Sequence, residues 1–118
     1  MIRREEWSNV KLIIAIVQDE DANRLISELM NGGFRVTKLA STGGFLRAGN
    51  TTLLIGVEDA QLDACLKVVE KVSHSRRQLA AAPSPVGGGA SSFTSFPIEV
   101  TVGGATVFVL SVEQFIKI

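Results

Sequence analysis

The stretch Lys11-Leu12-Ile13-Ile14-Ala15-Ile16-Val17, closely followed by Asp19-Glu20-Asp21, decides how the chain folds. Its first part is an unbroken apolar run rich in β-branched residues, which predicts a strand buried on both faces. The three acids suit the start of a helix, where free backbone amides and the helix dipole favour carboxylates. Ala22, Leu25, Ile26, Leu29 and Met30 then recur at helical spacing and give that helix one apolar stripe. Gly32-Gly33 ends it. Phe34-Arg35-Val36-Thr37 alternates strictly and reads as a second strand. Phe34 and Val36 turn towards the helix, while Arg35 and Thr37 share the opposite face.

Outward from this unit the pattern repeats. Residues 41–50 read as a glycine-rich loop and Thr51 to Val57 as a third strand. Asp59 is placed to cap a second helix carrying Leu62, Cys65, Leu66 and Val69 on its apolar stripe. Asp63 and Lys67 are spaced to pair one turn apart on the exposed side. Ile98, Val100 and Val102 alternate with Glu99 and Thr101. Gly103-Gly104 is a hairpin signal, with Ala105 to Leu110 as the return strand and Ser111 to Ile118 as a short tail. The order is βαββαβ plus an extra hairpin strand, the α+β pattern of ferredoxin-like folds. Two helices cover one sheet face. The other face is rich in Val, Ile and Phe and needs a cover, so an oligomer is expected. Residues 1–10 read as an N-terminal extension and 11–118 as one domain with a long flexible loop over 76–96. That loop includes the low-complexity run from Ala80 to Ser92 and ends on Phe93 and Phe96, which read as apolar anchors or as groups that close over a ligand.

Composition limits the function classes. The chain has 118 residues, 46% of them apolar and 20% charged, which is a globular composition. Twelve basic residues balance twelve acidic ones, so no global field recruits a nucleic-acid polymer or an anionic membrane. The longest uncharged run, the 21 residues from Gln78 to Ile98, is broken by prolines and glycines and would make a poor membrane helix. The N-terminus lacks the apolar core of a signal peptide, so a cytoplasmic protein with a reduced Cys65 is expected. The balance is uneven along the chain. No acidic residue lies between Glu28 and Glu58, where Arg35, Lys38 and Arg47 give a local charge of +3. Such a stretch suits a small anion or simply a solvated basic face.

The segment from Arg35 to Thr52 carries the densest chemistry. Gly43, Gly44 and Gly49 allow backbone amides to approach a bound group. Arg35 can grip a phosphate with its planar fork, and Thr37 adds a hydroxyl on the same face. Phe45 and Leu46 offer flat apolar surface to a base. Asn50 both donates and accepts, as an adenine edge requires. No Gly-Lys-Ser/Thr follows the glycines, and no helix follows directly, so neither a Walker loop nor a dinucleotide fingerprint is present. A phosphate-plus-base site and an ordinary glycine turn both fit these residues.

From Lys11 to Phe115 the chain resembles the PII-like family of bacterial cyclic di-AMP receptors. The specific parts are Ala15-Ile16-Val17-Gln18-Asp19, Phe34-Arg35-Val36-Thr37-Lys38-Leu39-Ala40, the eleven-residue block from Thr42 to Thr52 and Val102-Gly103-Gly104-Ala105-Thr106-Val107-Phe108. The resemblance implies a PII-like homotrimer, three nucleotide sites at subunit boundaries, and cyclic di-AMP as ligand with no further cofactor. It implies that Arg35 binds a phosphate with support from Thr37. By the same resemblance, Phe45, Leu46 and Asn50 of the Thr42–Thr52 block hold an adenine, partly through backbone groups, and Gly44 and Arg47 belong to the ligand site. Gly56 admits main-chain contact, and Phe108 packs against a base at the boundary with another subunit. Where the family carries a polar residue, often Asn, before its Phe-Arg, this chain has Gly33.

No other group competes as a centre of chemistry. Cys65 sits on an apolar stripe as an inert thiol, and His74 near a helix end serves as a cation towards the dipole. Capping explains Asp19, Glu20 and Asp21 better than a metal. Met30 and Phe115 are expected in the core. With no nucleophile-base pair, no catalytic residue is assigned, and an enzyme acting on a phosphate ester is disfavoured. The expected function is a non-enzymatic second-messenger receptor that relays binding to a protein partner by loop ordering. The alternative is an adenylate sensor for ATP or ADP.

Overall fold

The computed structural model describes residues 3–4, 9–39, 49–83 and 95–118. In chain order the elements are β1 (Arg3–Arg4), β2 (Val10–Gln18), α1 (Asp19–Asn31), β3 (Arg35–Leu39), β4 (Asn50–Glu58), a 3-10 turn (Asp59–Gln61), α2 (Leu62–Ser73), β5 (Arg76–Pro83), β6 (Ser95–Val102), β7 (Ala105–Ser111) and β8 (Ile116–Lys117). The main sheet has four antiparallel strands in the order β3-β4-β2-β7. This order, with both helices on one face, is consistent with the ferredoxin-like fold.

One face of the central strands meets the helices. Ile13, Ala15 and Val17 of β2 and Leu53, Ile55 and Val57 of β4 are at most 1% exposed. They pack against Ala22, Leu25 and Leu29 of α1 and Cys65, Val69 and Val72 of α2. Burying these side chains drives the fold, at roughly 25 cal/mol per Å² of apolar surface. Met30 lies outside this core with 63% exposure, off the face of α1 that buries Ala22, Leu25 and Leu29. Asp59 does not cap α2 with its side chain. It opens the 3-10 turn, and its backbone N–H donates to the Asn9 carbonyl at 2.8 Å. Asp63 and Lys67 form no ion pair among the described residues, whereas Lys71 of α2 reaches Glu28 of α1 at 3.9 Å.

The second half departs from the sequence-based expectation in two ways. Residues 76–96 are not one loop, because β5 and β6 pair in register from Arg76↔Val102 to Pro83↔Ser95 as a two-stranded arm. Residues 76–82 include no β-branched residue, so the strand owes its existence to the backbone ladder rather than to its own composition. Gly103-Gly104 is not a hairpin turn either. With φ of +79° and +95°, it carries the chain from the arm into the main sheet, where β7 rather than β6 supplies the fourth strand. At the N-terminus, Val10 opens β2, and Arg3–Arg4 pairs with Ile116–Lys117. Among the described residues, no helix is long and apolar enough to cross a membrane.

Candidate functional site

The end of α1 fixes where Arg35 starts its strand. The Phe34 N–H donates to the Leu29 carbonyl and the Gly33 N–H to the Met30 carbonyl, both at 3.0 Å, with Gly33 at φ +86°. This is a Schellman end, which requires a left-handed residue where Gly33 stands. Phe34 and Val36 then pack against the core and fix the phase of β3. Arg35, Thr37 and Leu39 therefore stand exposed on the open face, opposite the helices.

The register places the other candidates on that same face. Arg35 pairs with Gly56, Gly56 with Leu12, and Leu12 with Leu110. The next row runs Thr37, Leu54, Ile14, Phe108. A Cβ at Gly56 would meet nothing within 4 Å, so the glycine leaves a notch beside Arg35. A cleft of about 340 Å³ opens there, lined by Arg35, Gly33, Gly56, Glu58, Phe115 and Lys117 among others. Phe108 is 53% exposed at the far edge. Three strand spacings separate it from Thr37, about 14 Å. Asn50 pairs with Gln18 at the opposite end of β4 and lines a second cleft of about 320 Å³ with Ile16, Gln18 and Thr106. Six residue steps of strand separate Asn50 from Gly56, roughly 20 Å. The chain thus brings Arg35, Thr37 and Gly56 together, but holds Asn50 and Phe108 at two other corners of the open face. Gly44, Phe45, Leu46 and Arg47 lie outside the described residues.

The sequence predicts an apolar open face but does not single out the residues that floor it between those corners. Leu12, Ile14, Ile16 and Leu54 are partly exposed on the open face. Their alternation with fully buried partners was hidden, because an all-apolar run shows no period. It also missed Lys117, placed at the cleft by a two-residue strand too short to signal itself. The Thr52 hydroxyl is buried on this face without a hydrogen-bond partner among the described residues.

Other polar groups are engaged structurally. The Thr51 hydroxyl donates to Asp19 Oδ1, and the Asp19 N–H donates to the Gly49 carbonyl at 2.8 Å. Asp21, whose side chain is 7% exposed, receives both arms of the Arg76 guanidinium at 2.8 and 3.3 Å. That hydrogen bond raises the Arg76 pKa above its ordinary value. Beside this pair, the Gly103 N–H donates to Gln18 Oε1 at 2.7 Å. The His74 Nδ1–H caps α2 by donating to the Glu70 and Lys71 carbonyls. Burial pushes the Cys65 thiol up to about 11, so it is no nucleophile near neutral pH.

The chain is similar to a solved structure described as a functionally unknown protein from Pediococcus pentosaceus ATCC 25745. The identity is 45%, the match covers 91% of this chain and 95% of that one, and the TM-score is 0.72. Residues 10–118 match the model of the cyclic-di-AMP receptor family. That match spans the sheet, both helices, the arm and every corner of the open face, so the chain belongs to the cyclic-di-AMP receptor family.

Proposed function

We propose that the protein is a cytoplasmic receptor that binds cyclic di-AMP at the boundaries of a homotrimer and relays occupancy to a protein partner without chemistry on the ligand. One observation carries this reading: the apolar open face presents Arg35 at its β3 edge, with Gly56 beside it on β4, and Phe108 at its β7 edge. A cyclic assembly sets one edge of each copy against the opposite edge of the next. It would cover the apolar floor and bring the Phe108 of one copy towards the Arg35 of its neighbour. Arg35 and Thr37 would then hold a phosphate, Phe108 a base, and Asn50 with Phe45 and Leu46 an adenine, with Gly44 and Arg47 also at the ligand. A ligand shifts a conformation only through differential contacts, and those loop residues would differ between bound and free states. The arm, rooted on the Asp21–Arg76 pair, offers the partner a surface.

Parallel calorimetric titrations with cyclic di-AMP, cyclic di-GMP and ATP test the assignment, together with sedimentation of the free protein. Saturable binding of cyclic di-AMP alone, near one per subunit of a trimer, is the expected result. Preferential ATP binding would replace it with an adenylate sensor. A folded monomer that binds cyclic di-AMP with full affinity would remove the boundary site.

A further inference from the structure

Asn50 is held from behind. Its strand neighbours Gly49 and Thr51 are both tied to Asp19, at the turn from β2 into α1. The Asp19 N–H donates to the Gly49 carbonyl at 2.8 Å, and the Thr51 hydroxyl donates to Asp19 Oδ1. Thr51 is buried on the helix side of β4, so Asn50 is turned to the open face. There it pairs with Gln18 of β2. Gln18 and Asn50 line one cleft of about 320 Å³, and Gly103, Gly104 and Thr106 line its other wall. That wall is the root of the arm. The same β2–α1 turn fastens this root at two points. Gln18 Oε1 accepts the Gly103 N–H at 2.7 Å. Two residues past Asp19, the Asp21 carboxylate holds the Arg76 guanidinium at 2.8 and 3.3 Å. Arg76 Nη1 also donates to the His74 carbonyl at 3.2 Å, and the Gly104 N–H to the Ser73 carbonyl. Beyond the root, β5 and β6 pack chiefly on each other. A two-stranded ribbon alone is marginal in water, so these root bonds decide how firmly the arm is fixed. Within four consecutive residues, Gln18 to Asp21, the chain thus grips both the backbone around Asn50 and the arm.

We propose that Gln18, Asp19 and Asp21 are positioning residues that couple the Asn50 corner to the arm, so that an adenine base in the cleft between them fastens the arm root and a fastened root strengthens binding. This rests on the reading of Asn50 as an adenine contact of the receptor site. A base seated there would meet the wall that carries Gly103 and shield the Gln18–Gly103 bond from water, where such a bond is stronger. Coupling of two sites is reciprocal in binding free energy, so a root that the ligand steadies must, when loosened, weaken the ligand. A role confined to stability would leave both affinity and the response of the arm unchanged.

The test joins calorimetric titration of the full chain with cyclic di-AMP to amide exchange at Gly103 and Gly104. In the parent, saturating ligand should slow exchange at both about 3- to 10-fold. Arg76→Gln alone would strand the Asp21 carboxylate, so the variant of choice is Asp21→Asn/Arg76→Gln, which removes both charges. It should keep the circular dichroism of the parent, quicken exchange at Gly103 and weaken binding about 3- to 10-fold. Should it fail to fold, Arg76→Lys, which keeps the charge but loses the fork, must show the same two changes in smaller measure. Asp19→Ala removes the acceptor of Thr51. It should weaken binding by a similar factor and blunt the effect of ligand on Gly103. Asp19→Asn keeps an acceptor and should restore both. A parent that binds while exchange at Gly103 and Gly104 stays unchanged overturns this inference and leaves the receptor reading standing. So does a folded arm variant with fast exchange at Gly103 and the affinity of the parent. Asp19→Asn failing as badly as Asp19→Ala overturns the part given to Asp19. A parent chain that binds no cyclic di-AMP overturns the receptor reading and this inference with it.

Discussion

Arg35 and Gly33 lie two positions apart at the rim of one cleft, yet they answer to different physics. Arg35 is exposed and packs against nothing in the core, so its removal should leave stability within about 0.5 kcal/mol. Its contact with a phosphate is charge-assisted, and losing it should cost cyclic di-AMP affinity roughly tenfold or more. Calorimetry beside a urea unfolding curve separates the two effects, and Arg35→Lys should recover only part of the loss because it lacks the fork. Gly33 is the reverse case. A Cβ there meets nothing within 4 Å, so its cost comes from φ +86° alone. Gly33→Ala should destabilise by about 1 kcal/mol in the same unfolding curve. Gly33→Asn should cost less, since Asn tolerates the left-handed region, and should tighten binding by placing an amide beside Arg35. Arg35 was legible because strict alternation in Phe34-Arg35-Val36-Thr37 fixes its face. Lys117 was not, because nothing in Phe115-Ile116-Lys117-Ile118 reveals that β1 will pair with it.

At the scale of elements, the root of the arm is the tightest junction. Gly103 has φ +79°, close to Gly33, but a Cβ there would overlap Arg76 Nη1 and lie 2.6 Å from the His74 carbonyl. Gly103→Ala should therefore cost roughly 2–4 kcal/mol, well beyond Gly33→Ala, and the gap measures the steric part. The same junction explains what the sequence hid. Glycine pairs between apolar runs usually mean hairpins, whereas here tertiary bonds from Gly103 to Gln18, from Gly104 to the Ser73 carbonyl and from Arg76 to Asp21 accompany a switch between sheets. The helices were legible because their stripes have a period, and α2 keeps Cys65 fully buried as its stripe requires. That burial carries a pH dependence. The folded thiol titrates near 11 against an ordinary value of 9.0, so the unfolded chain loses the proton first as pH rises. The stability associated with the neutral thiol is intact below pH 9.0 and declines as pH climbs towards 11. The effect is about 2–3 kcal/mol across that window. It should appear as the difference between unfolding curves of the parent and Cys65→Ala, which lacks the titrating group.

At the scale of the whole molecule, the open face is the unresolved half of the fold. Three strands present Leu12, Ile14, Leu54, Phe108 and Leu110 to solvent in one chain, while the helices cover only the other side. Exposed apolar ground of this kind is the mark of an interface. Ile14→Asp places a charge in its middle and touches no core residue, so the chain should stay folded while assembly fails. Sedimentation should fall from about 38 kDa, three times the chain mass, to the 12.6 kDa of a single chain. Assembly alone does not establish that a site is shared, but mixing two defective variants does. Arg35→Ala trimers keep Phe108, and Phe108→Ala trimers keep Arg35. If each site takes its arginine from one copy and its phenylalanine from the next, neither variant binds well alone. After unfolding and refolding together in equal amounts, every mixed trimer contains one boundary with both native residues. About a quarter of all sites should then regain the affinity of the parent. If Arg35 and Phe108 of one chain serve the same site, mixing restores nothing. The 14 Å between their edges of the sheet favours the first outcome, because a phosphate held at one edge leaves the other edge facing a neighbour.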